Sequence, residues 1–236
     1  MTHQETETIT ARVQYAKRGR LRFIGHLDTA RLIVRAVRAA RLPARTTRGH
    51  SPHLEVSFGP PLALGHTGDS EFFDVRLTEP VAPDAMRAAL QARLPEGIEV
   101  RAVELIMGKA ESLGVRLDRA DYSVRLPAET ALERAAVERF LSSDEVVVVR
   151  TRGGRESGRE KRREKAVNVR QWVERLEVFD EAGGGMRLEM TIRITPQGSA
   201  NPLEVLEALA GADAARQPGV RVHRIRLYHA EGPRSS

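Results

Sequence analysis

The chain has 236 residues, 41% hydrophobic, 30% charged and only 4% aromatic, a composition that excludes a disordered protein and implies a core of Leu, Val, Ile and Ala. It has no cysteine, which excludes disulfides, thiolate zinc sites and an iron–sulfur cluster held by this chain alone. A net charge of +6 and a pI near 10.2 favour polyanionic partners, either nucleic acid or an anionic membrane surface; the plain alternative is arginine spread over a solvated surface.

Residues 1–8 are polar and acidic, with no basic n-region or apolar h-region, so no signal peptide is expected. No apolar run approaches the ~20 residues that a membrane helix needs. The expectation is a soluble, cytoplasmic protein with no membrane partner.

Ile9, Ala11, Val13 and Tyr15 alternate with Thr10, Arg12 and Gln14, the period of a half-buried strand. Lys17 to Arg20 reads as a turn. A helix is predicted from Gly25 or His26 to Arg41, stopped by Leu42-Pro43. Leu27, Ala30, Ile33, Val34, Val37 and Ala40 form its apolar stripe, and Arg31, Arg35 and Arg38 share the adjoining face. Strands follow at 54–58 and 71–77, a helix at 83–94 with Pro83 in its first turn, and a closing strand at 98–107.

The order then repeats. A strand is predicted at 122–126, a helix at 129–141, and a fully buried strand at the four valines 146–149. A basic loop, 150–165, carries eight Lys/Arg against three Glu. Strands at 172–179 and 186–194, a helix at 202–209 and a strand at 220–228 complete the chain. Two successive βαββαβ orders predict an α+β protein, tandem ferredoxin-like, with domains at 9–107 and 119–229. A single split α+β sheet would also suit the order.

The densest chemistry lies between Lys17 and Arg48, where ten Lys/Arg face one acid, Asp28. Phosphate recognition wants several cations on one face, preferably guanidinium groups able to make paired hydrogen bonds. Arg31, Arg35 and Arg38 have that spacing, and Lys17, Arg18, Arg20 and Arg22 can extend the patch from the preceding turn. Arg48 and His53 adjoin it in sequence. A solvated helix face is the bland reading, but such a face ordinarily carries Glu partners four residues away, and here they are absent. Arg159, Lys161, Arg162, Arg163 and Lys165 are the second candidate group. They read either as an arm that orders on RNA or as a mobile, solvated hairpin.

His26, Asp28, His50, His53, His66, Glu71 and Asp74 are the residues able to supply metal ligands or acid–base groups. His26 and Asp28 stand at i,i+2 and diverge on a helix, while Glu71 and Asp74 lie on opposite faces of a regular strand. No metal or other cofactor is expected. His26 is the one candidate for catalysis, as the base of a metal-independent ribonuclease resembling the CRISPR repeat-processing endonucleases; capping the helix is its structural alternative. Trp172, Tyr122 and Tyr228 could stack on bases or fill a core.

The residues Arg22-Phe23-Ile24-Gly25-His26-Leu27-Asp28, Arg31, Arg35-Ala36, Arg38, Leu42-Pro43, Gly49, Pro52-His53, Pro61-Leu62 and Leu64-Gly65 resemble the radical-SAM-linked protein family. That family is a domain of unknown function found beside, or fused to, radical SAM proteins. Later in the chain Lys165, Val167, Asn168 and Arg170 match a basic motif, with Asn168 where the family has aspartate; His50-Ser51 stands where it has Phe-Asn. The resemblance implies a partner more than a reaction: a radical SAM protein, and RNA metabolism, with tRNA or rRNA ahead of DNA. Three functions are therefore carried forward. They are an RNA-binding or RNA-processing accessory protein without catalysis, a ribonuclease using His26, and a protein-interaction module with a basic face.

Overall fold

The structure, a computed structural model, describes residues 8–156 and 159–230, of which 152–156 and 159–163 are described by their backbone alone. In chain order the elements are β1 (Ile9–Lys17), a 3-10 turn (Gly19–Phe23), α1 (His26–Ala39), β2 (Val56–Phe58), β3 (Thr67–Leu77), α2 (Pro83–Gln91), β4 (Ile98–Met107) and the short α3 (Leu113–Arg116). Then come β5 (Arg119–Leu126), α4 (Arg134–Ser142), β6 (Val147–Glu156), β7 (Arg159–Asn168), β8 (Val173–Asp180), β9 (Met186–Arg193), α5 (Pro202–Ala210), α6 (Ala212–Arg216) and β10 (Arg221–Tyr228). The class is α+β, with mostly antiparallel pairing. The chain divides into two units: one runs to Asp118 and resumes at His223, the other is Arg119–Val222.

In the first unit β1 is central, antiparallel to β4 on one side and to β3 on the other. β3 also takes β2 antiparallel, Val56 facing Val75, and β10 in parallel, His223 facing Thr67. The alternation in β1 is the reason for this geometry. Ile9, Ala11, Val13 and Tyr15 are buried with Phe73, Val75 and Leu77 of β3, and Ile33 and Val37 of α1 and Met86 and Leu90 of α2 pack on the same cluster. Each such side chain taken fully out of water contributes roughly 1.5–3 kcal/mol. Both helices thus lie on one face of this sheet.

The other face departs from the sequence reading. Thr10 and Arg12, expected to meet solvent, are 1% and 4% exposed. Arg12 forms a bidentate pair with Asp74 at 2.9 Å and donates to the Glu111 carbonyl at 2.7 Å, so the segment that follows β4 folds back onto this polar face.

In the second unit β8, β9 and β5 form an antiparallel sheet, while β6 and β7 pair only with each other among the described residues. Two expectations are corrected here. The stretch 150–165 is not a loop: the ladder runs from Val147 opposite Asn168 to Glu156 opposite Arg159. Nor are the four valines buried throughout. Val148 is 7% exposed, but Val147 and Val149 are 50% and 58% exposed, because a two-stranded ribbon has only one covered face. With β6 spent on β7 and the division falling before His223, the second unit does not repeat the order of the first. α4 buries Ala136, Val137 and Phe140, and α5 buries Val205 and Leu206 behind a capping box at Asn201 and Glu204.

Candidate nucleic-acid interface

The helix carrying the arginines starts where its chemistry allows. Gly25 is the N-cap, Thr29 returns its hydroxyl to the Gly25 carbonyl at 3.0 Å, and Asp28 sits in the first turn, where a carboxylate suits the helix dipole. The buried side of α1 is Thr29, Ile33, Ala36 and Val37; Arg31, Arg35 and Arg38 are exposed on the opposite stripe, and Arg20 is exposed on the turn before it. Leu27, expected in the apolar stripe, is 69% exposed and stands in line with the arginines. Arg31 donates to Asp28 at 3.1 Å, a solvent-exposed pair worth little. The side chains of Arg20, Arg35 and Arg38 make no hydrogen bond or ion pair among the described residues. Arg22 is half-buried, its guanidinium 4.5 Å over the Phe23 ring, while Phe23 itself is 63% exposed. Arg48 and His53 lie on the exposed loop that the Thr46–Leu54 bridge closes. His53 is engaged there, with Nδ1 3.1 Å from the Thr47 hydroxyl.

Lys17 does not belong to this surface. β1 continues two residues beyond its predicted end and carries Lys17 inside, where its ammonium donates to the Ile24 carbonyl at 2.8 Å. Burial lowers its pKa, against the pull of Glu71, with Arg224 lowering it further. Arg18 is exposed but ion-paired with Asp69 at 2.7 Å, and this hydrogen bond holds the Asp69 carboxyl below the usual carboxylate range.

The histidines and carboxylates sort into structural roles. Glu71 takes a bidentate ion pair from Arg224, whose guanidinium also donates to the Pro60 carbonyl at 2.9 Å; both charged groups are buried. Arg224 was absent from the sequence-based candidates, since a partner 153 residues away in the chain leaves no local signal. Asp74 is held by Arg12, as described above. His66 is buried, and burial, then the positive charges of Arg224 and Lys17, pull its pKa down to about 4. His26 is not the N-cap but the first helical residue. Its ring stands edge-on to Phe58 with centroids 5.7 Å apart, and the imidazole makes no hydrogen bond among the described residues. No group of three or more His, Asp or Glu among the described residues is placed to hold a metal ion.

In the second unit Lys165 is exposed, whereas the side chains of Arg159, Lys161, Arg162 and Arg163 lie outside the described residues. Asn168 accepts backbone N–H bonds from Val146 and Arg170, both at 3.1 Å, a role open to either an amide or a carboxylate oxygen. Arg170 donates to the carbonyls of Val173 and Leu141. Trp172 and Tyr122 are buried, which removes them as base-stacking platforms. No helix among the described residues is long and apolar enough to cross a membrane.

Fold and surface together define a basic α+β protein with a solvent-facing arginine stripe on its first helix. A family model described as "Uncharacterized protein conserved in bacteria (DUF2344)" matches residues 10–202. The chain belongs to that family. No curated protein matches it. Among solved structures, a chain of "Crystal Structure of a Cbf5-Nop10-Gar1 Complex" is similar over 92% of this chain and 47% of its own, at 11% identity and a TM-score of 0.42. This chain therefore spans about half of that one, and a likeness at that level carries no argument about fold or function.

Proposed function

We propose that this protein is an RNA-binding accessory factor, itself noncatalytic, that works in the cytoplasm beside a radical SAM partner. The observation that carries the reading is the stripe of Arg31, Arg35 and Arg38, extended by Arg20, exposed and, among the described residues, with a single weak carboxylate contact at Arg31. Guanidinium groups at this spacing can each meet a different phosphate. The preference for tRNA or rRNA and the radical SAM partner rest on the resemblance carried by Arg22 to Asp28 and the residues that follow. In the first unit the order β4-β1-β3 with β2 beyond β3, all antiparallel, supports a ferredoxin-like arrangement there.

A protein partner on the same face is the second reading. Phe23, Leu27 and Leu64 are all more than 60% exposed, and the Gly65 N–H bonds the Arg22 carbonyl at 2.7 Å, which brings the Leu64 loop against the Phe23 turn. The ribonuclease is not taken further: among the described residues the His26 ring contacts Phe58 and has no acid or base partner beside it.

The test is fluorescence anisotropy with labelled tRNA and an rRNA stem-loop, comparing wild type with the Arg35→Gln, Arg38→Gln double variant. Affinity is expected to drop by about tenfold without loss of folding. Equal affinities, or no RNA binding at low salt, would leave the protein-docking reading in its place.

A further inference from the structure

The chain spends its few aromatic residues inside. Of six Phe, three Tyr and one Trp, all but Phe23 are buried or half-buried. Phe23 is 63% exposed, although aromatic side chains of this kind ordinarily take about 150–250 Å² each out of water. It closes the 3-10 turn Gly19–Phe23, just before the Gly25 cap of α1.

Its surroundings are built from cations and apolar side chains. The Arg22 guanidinium lies 4.5 Å from the Phe23 ring centroid, so a planar cation and an aromatic ring are held together at one point of the surface. The Gly65 N–H donates to the Arg22 carbonyl at 2.7 Å, which ties this turn to the loop carrying Leu64, 65% exposed. Leu27, 69% exposed, opens the stripe of α1 that continues through Arg31, Arg35 and Arg38. Residues 19–27 and 59–66 contain no Asp or Glu. The acids next in sequence, Asp28 and Asp69, are each met by an arginine, Arg31 at 3.1 Å and Arg18 at 2.7 Å.

Single-stranded nucleic acid is held by two features together: a cationic track for its phosphates and an aromatic face on which a base stacks. Phosphate contacts alone carry no information about the bases. An open ring adds it, because only a base splayed out of its own helix can reach that ring. A protein partner fits less well, since Phe23, Leu27 and Leu64 are few beside the roughly 20–30 residues a side of a stable interface.

We infer that Phe23 is a stacking platform for an unpaired base, and that the RNA class taken is a single-stranded loop, bulge or end whose phosphates lie on the arginine stripe. The inference rests on the RNA-binding reading above and narrows it, from polyanion attraction to recognition of unpaired nucleotides.

The experiment is fluorescence anisotropy of the full chain at low salt with two labelled probes. One is an unstructured RNA strand of roughly 12 nucleotides; the other is the blunt duplex that it forms with its complement. Phe23→Ala is expected to weaken binding of the single strand by about tenfold and to leave duplex affinity unchanged. Phe23→Trp should bind the strand as tightly as wild type or more so, whereas Phe23→Leu, which keeps an apolar side chain without a π-face, should behave as the alanine variant does. If wild type binds neither probe, the RNA-binding reading falls and this inference with it. If the strand is lost from the Arg35→Gln, Arg38→Gln variant but not from Phe23→Ala, this inference alone is overturned, and the apolar face passes to a protein partner. Binding of the duplex only, equal losses on both probes in Phe23→Ala, or full affinity in Phe23→Leu would overturn it as well.

Discussion

Arg224 and Glu71 face each other in the first unit with side chains 1% and 4% exposed. A pair so buried has given up hydration that its mutual attraction only partly restores, and removing one partner strands the other. Glu71→Gln or Arg224→Met is therefore expected to cost about 3–5 kcal/mol, with the double variant Glu71→Leu, Arg224→Met recovering much of it, as read from urea denaturation. Gly68→Ala should resemble the single variants, because a Cβ there would strike the Glu71 carboxylate. His66 gives a pH signature. Its pKa falls from 6.5 to about 4 on folding, so above pH 6.5 both states are neutral and stability is complete. Between 6.5 and 4 the unfolded chain binds a proton that the folded one refuses, and about 3 kcal/mol drains away; below 4 the loss is constant. In His66→Gln, which cannot titrate, that part of the acid destabilisation should vanish, and an unchanged pH dependence would refute the assignment. Glu71, Asp74 and His66 were visible in the sequence as chemistry-bearing residues. Their use was not, because Arg224 meets Glu71 through strand pairing that local patterns do not encode. Lys17 misled for a related reason: a charged residue beside Arg18 and Gly19 reads as a turn, and only the length of β1 shows that it is drawn inside.

Among the elements, those with apolar periodicity were legible. β4 runs from Ile98 to Met107, the predicted bounds, and α1 begins at His26, one of the two predicted starts, and ends at Ala39, two residues short of the predicted Arg41. The β6–β7 ribbon was not, because its pairing lies in residues whose composition resembles a solvated loop. Its base is fixed by chemistry that composition hides. Arg150 makes a bidentate pair with Glu204 at 2.6 and 2.7 Å, donates to the Ser199 carbonyl at 2.6 Å, and lies 5.6 Å from the Trp172 ring centroid. Glu204 belongs to the capping box of α5, so one carboxylate serves both the helix start and the ribbon. Arg150→Ala is expected to cost roughly 1.5–3 kcal/mol. Hydrogen exchange should also quicken along the amides of 147–151 and 164–168. Exchange rates equal to wild type there would mean that the ribbon is held by its own ladder rather than by this anchor.

For the whole molecule, the question is whether RNA affinity follows the position of its charges or only their sum. A net charge of +6 attracts any polyanion, and that attraction weakens when any arginine is neutralised, wherever it lies. The stripe makes a narrower demand. If Arg20, Arg31, Arg35 and Arg38 each meet one phosphate, four condensed counterions are released, and log K should fall with log salt at a slope near −3 on single strands and about −4 on a duplex. Neutralising Arg35 and Arg38 to glutamine should then flatten the slope by about 1.5–2. The control is Arg87→Gln with Arg93→Gln, exposed positions on and just beyond α2, which removes the same two charges from the +6 total. A stripe that contacts RNA predicts a large change for the first pair and a small one for the second. Equal changes would mean that the arginines of α1 act only through net charge, and the face bearing Phe23, Leu27 and Leu64 would then be assigned to a protein partner.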